Sequence, residues 1–211
     1  MAGTREVDGR RERSRRTRAR VVGAATDLFV ADGYLATTVE AVAARAGVAV
    51  QTVYYVFGTK SNLLAAVLDT RIVGDDEPLA LLERPWVDTV AHAPDGRSAI
   101  GSLVRECVTI LERVAPVYEA VRRASADPDV GALLVDNRSR RRSDERRLVE
   151  MVAEAGHLRP DVDVDTAADI VYGVLNEEVF LLLTADCGWP TERFRAWATG
   201  LLLQQLAGLE A

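Results

Sequence analysis

The sequence predicts an all-α protein: a short three-helix front, a linking helix, and a longer helical body. Three observations carry this. Apolar residues recur at i, i+3, i+4 and i+7 through most of the chain, no run alternates with the period of two that strands need, and glycine and proline gather at a few breaks.

The chain opens on eight arginines within its first 20 residues. High charge and low hydrophobicity predict a disordered tail over residues 1–12. From Arg13 the pattern changes: Val21, Ala25, Leu28 and Phe29 share one helical face, and Asp32-Gly33-Tyr34 ends the run. Thr38 is placed to cap a second helix whose Val39, Val42, Ala43 and Ala46 face inward. Gly47 stops it, as the residue that enters the left-handed conformation without strain. A third helix spans roughly Val50 to Val56, with Val53 and Phe57 inward. Its other side shows Val50, Gln51, Thr52, Tyr54 and Tyr55, which are hydrogen-bonding or flat groups rather than solubilising charges. Two short helices, a glycine turn and an outward polar-aromatic face make a helix-turn-helix.

The linking helix follows Thr59 as its cap, with Leu63, Leu64, Val67 and Leu68 on one face. Gly74 to Pro78 is the clearest boundary, and residues 75–97, with Trp86 beside Pro85, read as irregular. Ile100, Leu103, Val104, Cys107, Val108, Leu111 and Val114 then hold helical period until Pro116, which is expected to kink or restart the helix before Asp127-Pro128. A further helix from about Asp129 carries Val130, Leu133 and Leu134, then Leu148, Val149 and Val152. Between these lies Asp136–Arg147, six arginines against three acids. That run reads as a solvated face with i,i+4 ion pairs in preference to a second nucleic-acid site. Asp165 opens the longest apolar helix, to Thr184. After Gly188-Trp189-Pro190, Thr191 is expected to cap a last helix bearing Phe194, Trp197, Leu201, Leu202 and Leu206.

Charge is distributed unevenly. The net charge of −6 divides into +4 over residues 1–60 and −10 over the rest, which fits a protein touching nucleic acid with one end only. Two cysteines without metal or disulfide spacing point to a reducing compartment. No apolar run reaches the ~18 residues of a spanning helix and no signal h-region opens the chain, so a soluble cytoplasmic protein is expected. His92 and His157 are the only histidines, and there is no nucleophile elbow, phosphate loop or metal spacing. No catalytic residue, metal or cofactor is therefore expected.

From Ala43 to Lys60 the chain reads AxxAGVAxxTxYYxFxxK. This closely resembles the DNA-binding helix-turn-helix of the tetracycline-repressor (TetR) family. Ala49 departs from the pattern, since family members usually carry a capping Ser or Thr there. Residues 98–206, with AGHLRPDVDVDTAADIV, resemble the regulatory body of actinobacterial-type members less specifically.

The resemblance implies a DNA-binding domain over residues 13–60 and an effector-binding and dimerisation domain over 61–211. It implies DNA contacts from Arg16, Thr38, Val50, Gln51, Thr52, Tyr54, Tyr55 and Lys60. Lys60, the only lysine in the chain, matches the family's phosphate-contacting lysine. Gln51 is the candidate for direct readout, because its amide can pair with adenine. The last two helices are apolar over more than one stripe. In the family such a pair forms a four-helix bundle with a second copy, which makes Ile170, Val174, Glu178, Leu181, Phe194, Trp197 and Leu201 the candidate dimer interface. At 100° per residue Glu178 falls in the centre of the apolar arc, where a structural hydrogen bond or arginine pair is expected in preference to a cationic effector. Trp86, Tyr118 and Phe180 are candidate lining residues for an effector cavity. The implied function is a homodimeric repressor of a palindromic operator, released by a small molecule. A small-molecule carrier with a non-functional head is the alternative.

Overall fold

A computed structural model describes residues 3–74 and 80–209, with side chains from residue 12 onward. Among the described residues every regular element is helical. The helices are α1 Gly3–Asp32, α2 Val39–Ala46, α3 Val50–Phe57, α4 Lys60–Val73, α5 Pro85–Ala91, α6 Gly96–Arg122, α7 Pro128–Glu154, α8 Val164–Val174, α9 Glu177–Leu181 and α10 Thr191–Leu202. A 3-10 turn, Leu81–Glu83, precedes α5, and one π turn follows each of α9 and α10, at Leu182–Asp186 and Leu203–Ala207. The chain divides into two compact units, residues 1–78 with 116–133, and 79–115 with 134–211. These units cut the chain elsewhere than the functional boundary expected after Lys60, because α4 packs against α1 and α3.

In the first unit Val21, Ala25 and Phe29 of α1 meet the inward residues of the three following helices. Val42, Val53, Leu63, Leu64 and Val67 are all nearly or wholly buried. The expected caps form. The Thr38 hydroxyl accepts from the Ala41 amide at 3.1 Å, and that of Thr59 from the Asn62 amide at 3.0 Å. Gly47 closes α2 at φ +63°, its amide donating to Ala44 and the Val48 amide to Ala43.

Several expectations need correction. The tail expected to be disordered over residues 1–12 is helical from Gly3, and residues 1 and 2 lie outside the described residues. Arginine and glutamate are good helix formers, and α1 extends the nucleus already built on its apolar face. The boundary at Gly74 is a left-handed cap of α4, and its remaining residues 75–78 lie outside the described residues. The segment expected to be irregular holds α5, opened by Pro85 at the first helical position, where a missing N–H costs nothing. Pro116 neither ends nor restarts α6. Buried Ala115, Val117 and Val121 on either side hold the helix together across the lost hydrogen bond. Pro190, not Thr191, occupies the cap position of α10.

The second unit is built on Ile100, Leu103, Val104 and Val108 of α6, Leu148 and Val149 of α7, Val171 of α8, and Phe194, Ala198 and Leu202 of α10. Phe180 meets Phe194 edge-on, with ring centroids 5.1 Å apart. The helix expected from Asp165 to Thr184 is two helices. Leu175 leaves helical geometry, and Asn176 caps α9 by accepting from the Val179 amide at 2.8 Å. This break turns the register: Glu177 is buried, whereas the Glu178 side chain is 49% exposed and pairs with Arg138 at 3.0 Å.

The arginine-rich face of α7 pairs only partly with itself, as between Arg140 and Asp136 at 3.1 Å. It also reaches across to α8 and α9, through Arg142 to Asp169 at 2.7 Å, Arg146 to Asp165 at 2.8 Å and Arg141 to Glu177 at 2.9 Å. The exposed pairs are worth at most about 1 kcal/mol each. Arg141 and Glu177 are a different case, because both are largely withdrawn from water.

Candidate nucleic-acid interface

The surface of α3 follows from its sequence. With Val53 and Phe57 turned into the core, Gln51, Tyr54 and Tyr55 must point outward, and Val50 and Thr52 lie half-buried at the flanks. Tyr55 is 89% exposed and Tyr54 48%. Exposed in this way, the aromatic pair adds little to the stability of the folded head itself. Thr38 is exposed at the start of α2, with its hydroxyl serving the cap. Arg16 is exposed on α1.

Two other arginines of α1 build the interface rather than offer it. The Arg20 guanidinium donates to the carbonyl oxygens of Ala46 and Gly47, the latter at 3.0 Å, and so ties α1 to the helix-turn-helix corner. Arg18 lies over the Phe57 ring, 4.9 Å from its centroid. Arg45 donates to Asp27 at 2.8 Å and braces α2 on α1. Sequence spacing does not separate these roles from those of the neighbouring arginines, because all lie in one basic run.

Lys60 begins α4 half-buried, with its Nζ 4.2 Å from the centroid of the Tyr34 ring, which itself packs on Phe29. Burial lowers the Lys60 pKa, and Asp127 partly opposes this. Burial likewise raises the Tyr34 pKa, with Asp127 and then Asp129 adding to the effect. The ring face steadies the ammonium over α4's first turn, where backbone N–H groups also point outward. An ammonium at a helix N-terminus is chemically suited to one phosphate.

The model of the "Bacterial regulatory proteins, tetR family" matches residues 21–67, from α1's apolar half to the middle of α4. A curated relative, the uncharacterized HTH-type transcriptional regulator TtgW of Pseudomonas putida, is 33% identical over 93 residues, 40% of this chain and 69% of that one. The chain belongs to the TetR family. An HTH-type transcriptional repressor of Mycobacterium tuberculosis is 34% identical over 122 residues, 55% of this chain, and the match spans 64% of that relative's length. Among solved structures, a SmeT–triclosan complex superposes with a TM-score of 0.67 at 20% identity, covering 90% of this chain and 91% of that one. These curated relatives of the TetR-family chain are named as HTH-type transcriptional regulators. Among the described residues no helix is long and apolar enough to cross a membrane.

The remaining candidate residues fall in different places. Trp86 packs against the core of the second unit and Phe180 lies within it, while Tyr118 is buried in the first unit. On α8 to α10, Ile170, Val174, Leu181, Trp197 and Leu201 are partly exposed, and Leu182 is 52% exposed. Phe194 has no exposed surface and is enclosed by its own chain, which removes it from the candidate interface. Glu178 sits at the rim of that surface with Arg138, not at its centre.

Proposed function

We propose that this TetR-family regulator is a homodimeric repressor that binds a palindromic operator and leaves it when a small molecule binds. Residues 13–60 serve as the reading head, and residues 61–211 as the effector and dimerisation domain. The single observation that carries the DNA reading is the outward aromatic face of α3, with Tyr55 89% exposed beside Gln51. Thr38, Val50, Thr52, Tyr54, Tyr55, Arg16 and Lys60 position the head on the backbone, and Gln51 reads a base edge. The partly exposed apolar residues of α8 to α10 support pairing with a second copy. The triclosan complex named for SmeT supports a small-molecule effector. Release requires that the effector bind the DNA-incompetent arrangement better than the competent one.

The test is selection of bound sites from random DNA, followed by salt titration of two variants. Lys60→Ala should weaken binding equally on all sequences and lower the salt slope by about one per subunit. Gln51→Ala should leave the slope nearly unchanged and relax preference at one base pair per half-site, by about 1–3 kcal/mol. A wild-type protein without sequence preference at physiological salt refutes the repressor and favours a carrier with a non-functional head.

A further inference from the structure

The end of α1 and the C-terminal turns of α6 face each other across a groove within the first unit. Gly33, at φ +83°, stops α1 and turns the chain back, so Tyr34, Leu35 and Ala36 join the helix end in one wall. Pro116, Glu119, Ala120 and Arg123 stand in the other. The cavity measures about 430 Å³, the size of a small-molecule site. Small side chains at Ala31, Ala36 and Ala120 keep it open, and Leu35, 66% exposed, gives it apolar surface. The two walls carry opposite charge. α1 ends on Asp32 with no basic residue in its last turn, so a carboxylate adds to the helix's own negative end. On α6 the Glu119 carboxylate accepts from Arg122 at 3.2 Å and from Arg123 at 3.1 Å, two guanidiniums for one acid. The Arg123 side chain is 75% exposed, and it can turn to another anion while Arg122 keeps Glu119 paired. Asp32 makes no ion pair among the described residues, although Arg123 lines the same groove.

We infer that this groove binds a small apolar zwitterion of dipeptide size, with its ammonium on Asp32, its carboxylate on Arg123 and its side chains along Val30, Leu35 and Ala120. An amphiphile of one charge matches one wall and is opposed by the other. A free amino acid carries both charges on one carbon. Asp32 and Arg123 stand too far apart to pair with each other, so they call for charges set apart by a peptide unit. The groove also adjoins the candidate phosphate contact, because Tyr34 lines it and its ring centroid lies 4.2 Å from the Lys60 Nζ. An occupant that moves that ring moves the lysine resting on it. By reciprocity, DNA and dipeptide then weaken each other's binding by the same factor.

This deepens the effector proposed above and rests on that reading only for its consequence on DNA. The test titrates the full chain, without DNA, by isothermal calorimetry with leucyl-leucine, its N-acetyl and C-amide derivatives, and leucine. Leucyl-leucine should bind at one site per chain. Leucine should bind more weakly, and each derivative by about two- to fivefold for the one exposed charge contact it lacks. Asp32→Asn should weaken leucyl-leucine by the same factor and leave the N-acetyl form unchanged. Arg123→Gln should do likewise and leave the C-amide unchanged. Ala120→Phe should fill the groove and abolish binding. The first two variants change exposed side chains and should melt as wild type, so they decide the matter even where Ala120→Phe fails to fold. Absent wild-type binding overturns the site, as does binding that survives all three substitutions. An N-acetyl or C-amide derivative that binds as tightly as its parent overturns the zwitterion. A chain that binds leucyl-leucine as described yet keeps its full operator affinity keeps the site and refutes only its effect on DNA.

Discussion

Ala49→Ser should stabilise the recognition helix. The helices on either side of α3 are capped by threonine, at Thr38 and Thr59, each accepting an amide bond of 3.0–3.1 Å from three residues on. Ala49 occupies the same position with φ −70° and ψ 146°, the extended geometry a cap requires, but has no side-chain oxygen. Capping exchanges are worth about 0.5–2 kcal/mol. Here the lower half applies for two reasons. The Thr52 amide already donates to the Ala49 carbonyl at 2.9 Å, leaving the Gln51 amide as the main orphan. Gln51 is also exposed, so water serves that amide in the unmodified chain. The expected gain is therefore about 0.5–1 kcal/mol, or roughly 1–4 °C in melting temperature for a chain of this size. Chemical denaturation measures the gain, and hydrogen exchange at Gln51 and Thr52 places it. An unchanged midpoint with unchanged exchange at those two amides refutes the capping argument, and a lower midpoint means that the hydroxyl meets something the geometry does not show.

Three further outcomes follow from the same reasoning. Gly47→Ala should lower stability by about 1–2 kcal/mol for forcing a side chain into the left-handed region, and a Cβ there would stand 3.0 Å from the Arg20 Nη2 that anchors α1. Its denaturation midpoint and operator affinity should fall together. Leu182→Glu changes a side chain that is 52% exposed in the single chain, so sedimentation should show well-folded monomers; a variant that stays dimeric moves the interface elsewhere. Stability should also decline as pH rises from about 4.5 to 8, because Glu145 holds its proton more tightly when folded, with its pKa raised from 4.5 to about 8. The unfolded chain gives that proton up first, so deprotonation favours unfolding across this window. Urea midpoints between pH 5 and 8 should show the slope, and Glu145→Gln should flatten it.

The head was legible in the sequence because its signals are local. Thr38, Gly47 and Thr59 act within one helical turn of themselves, and each does in the structure what its chemistry suggests. The body was less so. Apolar spacing runs unbroken from Ile170 through Leu182, and nothing in it announces that Asn176 caps a new helix in the middle. That single break decides which of two adjacent glutamates is buried. Placing it requires knowing that Arg141, 34 residues earlier, takes the Leu175 carbonyl. Likewise the six arginines of α7 look alike along the chain, and only the packing of α8 and α9 tells them apart.

The solitary lysine has a practical consequence. Apart from two histidines every other basic side chain is an arginine, so a lysine-specific protease has one cleavage point in the whole sequence, after Lys60. Lysine carrying nitrogen-15 would likewise place a single labelled ammonium in the protein, 4.2 Å from the centre of the Tyr34 ring and under its ring current. That one resonance would report whether the amine rests on the ring or has moved to a phosphate, with no assignment problem to solve.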